Sequence, residues 1–248
     1  MCTLIAFHRV WSGAPLVVAT NRDEAYERES SVPRWWAGDP AVLAPRDEHA
    51  GGTWMGANEA GLWVGLTNRH TRREDRALRS RGLLCRELLD APDASTAAAV
   101  LNGLTVRYNP FHAVLADAER MILVEYEDGR AGARRLPPGC HLVTNRPFDE
   151  NPSEPKVGRA WRLLYAAGLW PAARGAAPPA DLEARLAAVL ADHGGEGRDA
   201  LCLHGGRYGT RSAAVWRVTP RGHPAGPARI ALTFADGPPC STEFVSVA

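Results

Sequence analysis

Cys2-Thr-Leu-Ile-Ala-Phe7 opens the chain after its initiator methionine, and Leu16-Val-Val-Ala-Thr20 follows across the turn Trp11-Ser-Gly-Ala-Pro15. Two short runs of apolar and β-branched residues on either side of Gly/Pro turn chemistry predict a β-hairpin. It begins almost at residue one, so the first strand is expected to be a central element and not a loose tail. An antiparallel return also brings the polar cluster Asn21-Arg-Asp-Glu24 back beside Cys2.

That placement suits a nucleophile at a chain terminus. Methionine aminopeptidases remove Met1 when the next residue is small, and removal here leaves Cys2 with a free α-amino group. The thiolate then attacks a carbonyl while its own amine, with an ordinary pKa of ~7.7–8.0, relays the proton. Such a cysteine needs a positive neighbour and an anchor for its ammonium. Arg22 is suited to the first task and Asp23 to the second. The chain also repeats a short pattern after strand-like runs: Thr20-Asn21-Arg22, Thr67-Asn68-Arg69 and Thr144-Asn145-Arg146. Asn at a strand end can present an amide N–H to an oxyanion. In an Arg-rich chain the same triplets are also ordinary strand caps.

Further along, strands are predicted at Val42 to Ala44, in a Gly- and Trp-rich hairpin from Gly51 to Thr67, at Phe111 to Ala116 and Met121 to Tyr126, and at Leu142 to Asn145. Ser212 to Val218 and Arg229 to Phe234 complete the set. Helical spacing marks Gly82 to Leu89, Ala94 to Leu101 with Ser95 as its N-cap, Val157 to Gly168, and Asp181 to Asp192. Strands and helices come in blocks, not in regular alternation, which argues for an α+β fold of antiparallel sheets. With 248 residues, 45% of them hydrophobic, residues 1–248 are expected to form a single domain.

The charges nearly cancel, 29 basic against 28 acidic, so composition gives no case for nucleic acid as a partner. No apolar run approaches the ~20 residues of a membrane span, and Met1 to Val10 lack the basic start and long apolar run of a signal peptide, so none is expected. The cysteines are Cys2, Cys85, Cys140, Cys202 and Cys240. Their number is odd and no close pair has zinc-site spacing, so no metal site is expected. The last four read as buried small hydrophobes in a reducing, cytoplasmic setting.

Met1-Cys-Thr-Leu-Ile5, Asn21-Arg-Asp-Glu24, Gly51-Gly-Thr-Trp54 with Gly56, Leu66-Thr-Asn68, Thr144-Asn145 and Tyr208-Gly-Thr-Arg-Ser212 together resemble the NRDE family, the transport and Golgi organisation family. The motifs run from residue 2 to residue 212. The resemblance implies the four-layer αββα sandwich of N-terminal-nucleophile (Ntn) hydrolases. The chain is also similar to the cholylglycine hydrolase and penicillin V acylase branch of those enzymes. By position, that similarity implies Cys2 as nucleophile, Arg22 and Asp23 as its charged helpers, Asn145 at the oxyanion and Arg211 as a late arginine. Asp23 follows Arg22 directly here, whereas that branch leaves a gap between the two. Asn21, Asn68 and Trp54 are the substrate-binding candidates.

Two functions compete at this point. One is a cysteine amidohydrolase acting on a small amide or acyl conjugate, with Trp35, Trp36, Trp54 and Trp63 as pocket candidates and core packing the expected role for at least half of them. The other is a non-catalytic carrier of a small ligand on the same fold, which the resemblance links to Golgi organisation and haem handling. Hydrolysis needs no cofactor. Haem needs an axial ligand, from Cys2, His8, His49, His70, His112, His141 or His204, and no Cys-Pro or Cys-x-x-Cys-His motif selects among them.

Overall fold

A computed structural model describes residues 2–71, 74–148, 154–170, 175–194, 199–220 and 226–248. Met1 lies outside the described residues. The elements run β1 (Thr3–Trp11), β2 (Ala14–Ala25), β3 (Ser30–Trp36), β4 (Val42–Asp47), β5 (Met55–Asn58) and β6 (Trp63–Asn68). Helices α1 (Arg81–Leu88) and α2 (Ala94–Asn102) precede β7 (Phe111–Ala116), β8 (Met121–Glu127), β9 (Arg130–Leu136) and β10 (Gly139–Val143). Then come α3 (Pro155–Ala166), α4 (Leu182–Leu190), β11 (Tyr208–Thr219), β12 (Arg229–Ala235) and β13 (Val245–Ser246). No described helix is long and apolar enough to cross a membrane.

The chain divides into two compact units. The first takes the N-terminal stretch through Glu27, Pro138–Arg217 and Ala231–Ala248. Its six-stranded sheet has the order β10-β1-β2-β11-β12-β13. The opening hairpin is thus interior, as its apolar runs suggest, with β1 between β10 and β2. Alternate residues Ile5, Phe7, Val17, Ala19 and Leu142 turn one face toward Val157, Ala160 and Leu164 of α3 and Leu182, Leu186 and Leu190 of α4. Burying each such side chain contributes about 1.5–3 kcal/mol.

The second unit takes Arg28–Pro137 and Val218–Ile230. Its seven strands follow chain order, β3-β4-β5-β6-β7-β8-β9. Val42, Val64, Ala113, Leu115 and Val124 pack against Leu84 and Leu88 of α1 and Ala94, Ala97 and Leu101 of α2. Gly52 has a packing reason to lack a side chain, because a Cβ there would run into the backbone of Gly82. Two strands carry no signal in the apolar pattern, and both are sheet edges. Ser30–Trp36 alternates irregularly through a register shift, and Arg130–Leu136 is nearly all exposed. The N-cap of α2 is Asp93, whose carboxylate accepts from Thr96 N, and not Ser95, which falls inside the helix.

Asn58 closes this second unit around α1. Its Nδ2 donates to Leu89 O and Ala91 O, each at 2.8 Å, and its Oδ1 accepts from Leu62 N. Asn58→Ala leaves two buried carbonyls and one amide unsatisfied, so urea unfolding should show a loss of roughly 3 kcal/mol. A loss under about 1 kcal/mol would contradict that role.

Candidate active site

The β1–β2 register runs to Thr3↔Asn21, one residue short of Cys2 and Arg22. On the other side of β1 it ends at Leu4↔Val143, two residues short of Cys2 and Asn145. The sheet therefore converges on Cys2 from both flanks. Cys2 is partly buried, and its Sγ lies 3.7 Å from the backbone oxygen of Asp23. Burial pushes its thiol above the ordinary range and the Asp23 carboxylate adds to the shift, while the Arg22 guanidinium pulls against it.

Asp23 is the hub. Its backbone oxygen also accepts from Tyr208 Oη at 2.7 Å. One carboxylate oxygen accepts from Thr210 Oγ1 at 2.6 Å, and the other lies 3.6 Å from Lys156 Nζ. Both side chains of that ion pair are shut off from solvent, at 1% and 0% exposure. Thr210 is itself fixed by two bonds to the Leu203 backbone: Thr210 N donates to Leu203 O, and Leu203 N donates to Thr210 Oγ1. Gly209 admits this arrangement, since a Cβ there would meet the phenolic oxygen of Tyr26.

Lys156 is the only lysine in the chain. It sits in the first turn of α3, after Pro155 at the position where a missing N–H costs nothing. Glu154, just before that helix, accepts from Thr144 Oγ1 at 2.5 Å. The start of α3 is thus tied both to Thr144 at the end of β10 and to Asp23 on β2.

Cys2, Arg22, Asp23, Asn145 and Arg211 all belong to the first unit, on or beside β10, β1, β2 and β11. Arg22, Asp23 and Asn145 are buried, and Arg211 follows Thr210 on β11. Asn21 is engaged elsewhere. Its Nδ2 donates to Leu190 O at the end of α4 and to Leu201 O, at 2.9 and 2.8 Å. Asn68 and Trp54 belong to the second unit, where Asn68 pairs with Phe111 and Trp54 O accepts from Leu66 N. Of the other tryptophans, Trp63 is fully buried, Trp36 donates to Ala44 O, and Trp35 is half exposed. His112 is buried between Thr67 and Glu125, with a partner at each ring nitrogen. Lys156, Thr210 and Tyr208 escaped sequence reasoning as members of the Asp23 cluster. Residues 208–212 stood out as a motif, but nothing local linked them to Asp23, which lies 187 positions before Thr210.

The architecture is that of an Ntn-hydrolase-like fold. The Caenorhabditis elegans ortholog of N-acylethanolamine-hydrolyzing acid amidase superposes with a TM-score of 0.61 over 91% of this chain and 95% of its own, at 14% identity. Penicillin V acylase from Agrobacterium tumefaciens gives 0.62 over 98% of both chains at 15% identity. Conjugated bile acid hydrolase from Clostridium perfringens gives 0.61 over 100% of this chain and 97% of its own, at 12%. The family described as Transport and Golgi organisation 2 matches residues 1–224, and the chain belongs to that family. The Bos taurus Transport and Golgi organization protein 2 homolog is 30% identical over 240 residues, covering 84% of this chain and 83% of its own. The Homo sapiens homolog is 28% identical over 239 residues, with the same coverage.

Two measurements probe this geometry. Lys156→Met removes the cation beside a buried carboxylate and should cost about 3–5 kcal/mol in urea unfolding, part of which returns in Asp23→Asn/Lys156→Met. A Lys156→Met loss below about 1 kcal/mol would mean that the pair does not hold the site. The second concerns pH. A raised thiol is protonated at neutral pH, so its thiolate fraction there is below that of a free cysteine with pKa ~8.5. In protein retaining Met1, iodoacetamide labelling of Cys2 should be slow at pH 7 and still climb above pH 9. Arg22→Gln should slow it further, and a flat profile would contradict the assignment.

Proposed function

We propose that this chain is an N-terminal-cysteine amidohydrolase that cleaves a small amide or acyl conjugate at a C–N bond other than a peptide bond. The observation that carries the reading is the position of Cys2: at the head of an interior strand, with its sulfur on the backbone of Asp23 and with Arg22 beside it. The likeness of the fold to an amidase, an acylase and a bile acid hydrolase supports it. Fold alone does not fix function, so the argument rests on the site.

In this reading Met1 is removed first. Cys2 Sγ then attacks the substrate carbonyl carbon, and the thiol proton passes to the α-amine of the same residue. That internal transfer matters because an ordinary cysteine thiol is mostly protonated at neutral pH. Asn145 donates its side-chain N–H to the oxyanion. Collapse of the tetrahedral adduct breaks the C–N bond, and the departing amine takes the proton from the α-ammonium. Water then attacks the thioester, delivers its proton through the α-amine, and releases the carboxylic acid and the thiol. Arg22 and Arg211 supply positive charge, and the Asp23 cluster holds the strands in place.

The decisive experiment combines intact mass with brief exposure to a thiol-directed acylating probe. The proposal expects a mass lacking Met1 and one fast adduct at Cys2. It also expects Cys2→Ala to abolish turnover across a panel of small acyl amides while shifting the melting temperature little. A chain that retains Met1 and shows no preference for Cys2, or a fully active Cys2→Ala variant, would sink it.

A further inference from the structure

Four side chains of the first unit, spread from residue 193 to residue 240, meet in a cluster that has no role above. His193 follows α4, Cys202 and His204 lie between α4 and β11, and Cys240 lies in the turn after β12. One ligand atom from each falls within 4.8 Å of all the others. Cys202 Sγ is 3.7 Å from Cys240 Sγ and 3.5 Å from His204 Nε2, which is 3.3 Å from Cys240 Sγ. The His193 ring lies against that of His204, with centroids 5.0 Å apart.

These spacings have a chemical meaning. Zinc in a tetrahedral site binds sulfur at ~2.3 Å and imidazole nitrogen at ~2.0–2.1 Å, so its S···S edge is ~3.8 Å and its S···N edges ~3.6 Å. The S···S separation of 3.7 Å and one S···N separation of 3.5 Å agree with these edges, and the other S···N separation, 3.3 Å, is slightly shorter. His193 needs its ring nitrogen to close by about 1 Å to complete the tetrahedron. Both cysteines are free thiols. Cys240 is exposed, which corrects the expectation that all four later cysteines are buried; Cys85, Cys140 and Cys202 are.

We propose that His193, Cys202, His204 and Cys240 form a structural zinc site. A mixed two-sulfur, two-nitrogen set at tetrahedral spacing suits zinc. Four protein ligands leave no open position, so the ion braces the fold and does not catalyse. Two thiolates and two neutral imidazoles also balance its charge. The ion joins the end of α4, the 202–204 segment and the turn after β12. The segment it fixes includes Leu203, the backbone partner of Thr210. The site stands independently of whether Cys2 is a nucleophile.

The test uses the full chain, produced with added zinc and purified under reductant without chelator. Elemental analysis should find about one zinc per chain, and cobalt exchange should give tetrahedral d–d bands together with a thiolate-to-cobalt charge-transfer band. Cys240→Ser and His193→Ala, both at exposed positions, should lose the zinc on dialysis, while Cys85→Ser retains it. Chelator should lower the melting temperature of the parent chain and leave that of Cys240→Ser unchanged. Substoichiometric zinc, a cobalt spectrum without the thiolate band, or unchanged zinc in both ligand variants would overturn the proposal. So would a Cys202–Cys240 disulfide in the freshly purified protein. The cobalt spectrum of the parent chain decides the matter even if a variant fails to fold.

Discussion

A carboxylate buried without solvent must find its partners inside the protein, and Asp23 draws them from three directions. Lys156 comes from α3, Thr210 from β11, and the Asp23 backbone oxygen takes both Cys2 and Tyr208. Each contact alone is modest. Together they oblige the head of β1, the end of β2, the start of α3 and the start of β11 to meet at one place. Removing one partner leaves a charge with inadequate compensation, whereas an apolar replacement of the whole group would fold without fixing the strands so tightly. The ion pair is therefore better understood as specifying geometry than as a large source of stability.

The hairpin from Cys2 to Thr20 was legible because its apolar runs, alternation and turn residues all agree. The remaining interior strands and all four helices show the same agreement. Ser30–Trp36 and Arg130–Leu136 were not legible because edge strands with exposed faces need no apolar alternation. The cap of α2 was misplaced by two residues because Asp93 and Ser95 are both competent caps and only the backbone chooses between them. In the site, Cys2, Arg22 and Asp23 were readable because the hairpin itself brings them together. Lys156 and Thr210 were not, since their distance from Asp23 along the chain is bridged only by the finished sheet. Asn21 carries a tie that the sequence does not announce. Its place in a conspicuous motif suggested substrate contact, yet its amide ties α4 and Leu201 to β2.

The same limit explains the histidine and cysteine cluster. Zinc motifs are recognised in sequence by close pairs, and here only Cys202 and His204 are close. Cys240 arrives through β12 and the turn that follows, a placement that no local spacing encodes. Composition adds no pointer to it, because an odd number of scattered cysteines in a near-neutral chain reads as filler.

The connection from Leu201 to Arg207 joins these two regions. It forms no helix, and its one ladder contact is the bridge between His204 and Gly209. A segment of this kind holds position only through ties to its neighbours. The ties include Leu201 N and Cys202 N to Asp192 O, Leu201 O to Asn21, Leu203 to Thr210, Gly205 N to Tyr26 Oη, Arg207 O to Tyr26 N, and the cluster around Cys202 and His204. Thr210 in turn holds the Asp23 carboxylate. The order of the surroundings of Cys2 thus depends on an irregular stretch that the sheet alone does not fix. An ion bound at Cys202 and His204, on either side of Leu203, would tighten the segment without touching substrate. That gives the bracing site a reason to exist in a fold whose hydrophobic core is already large.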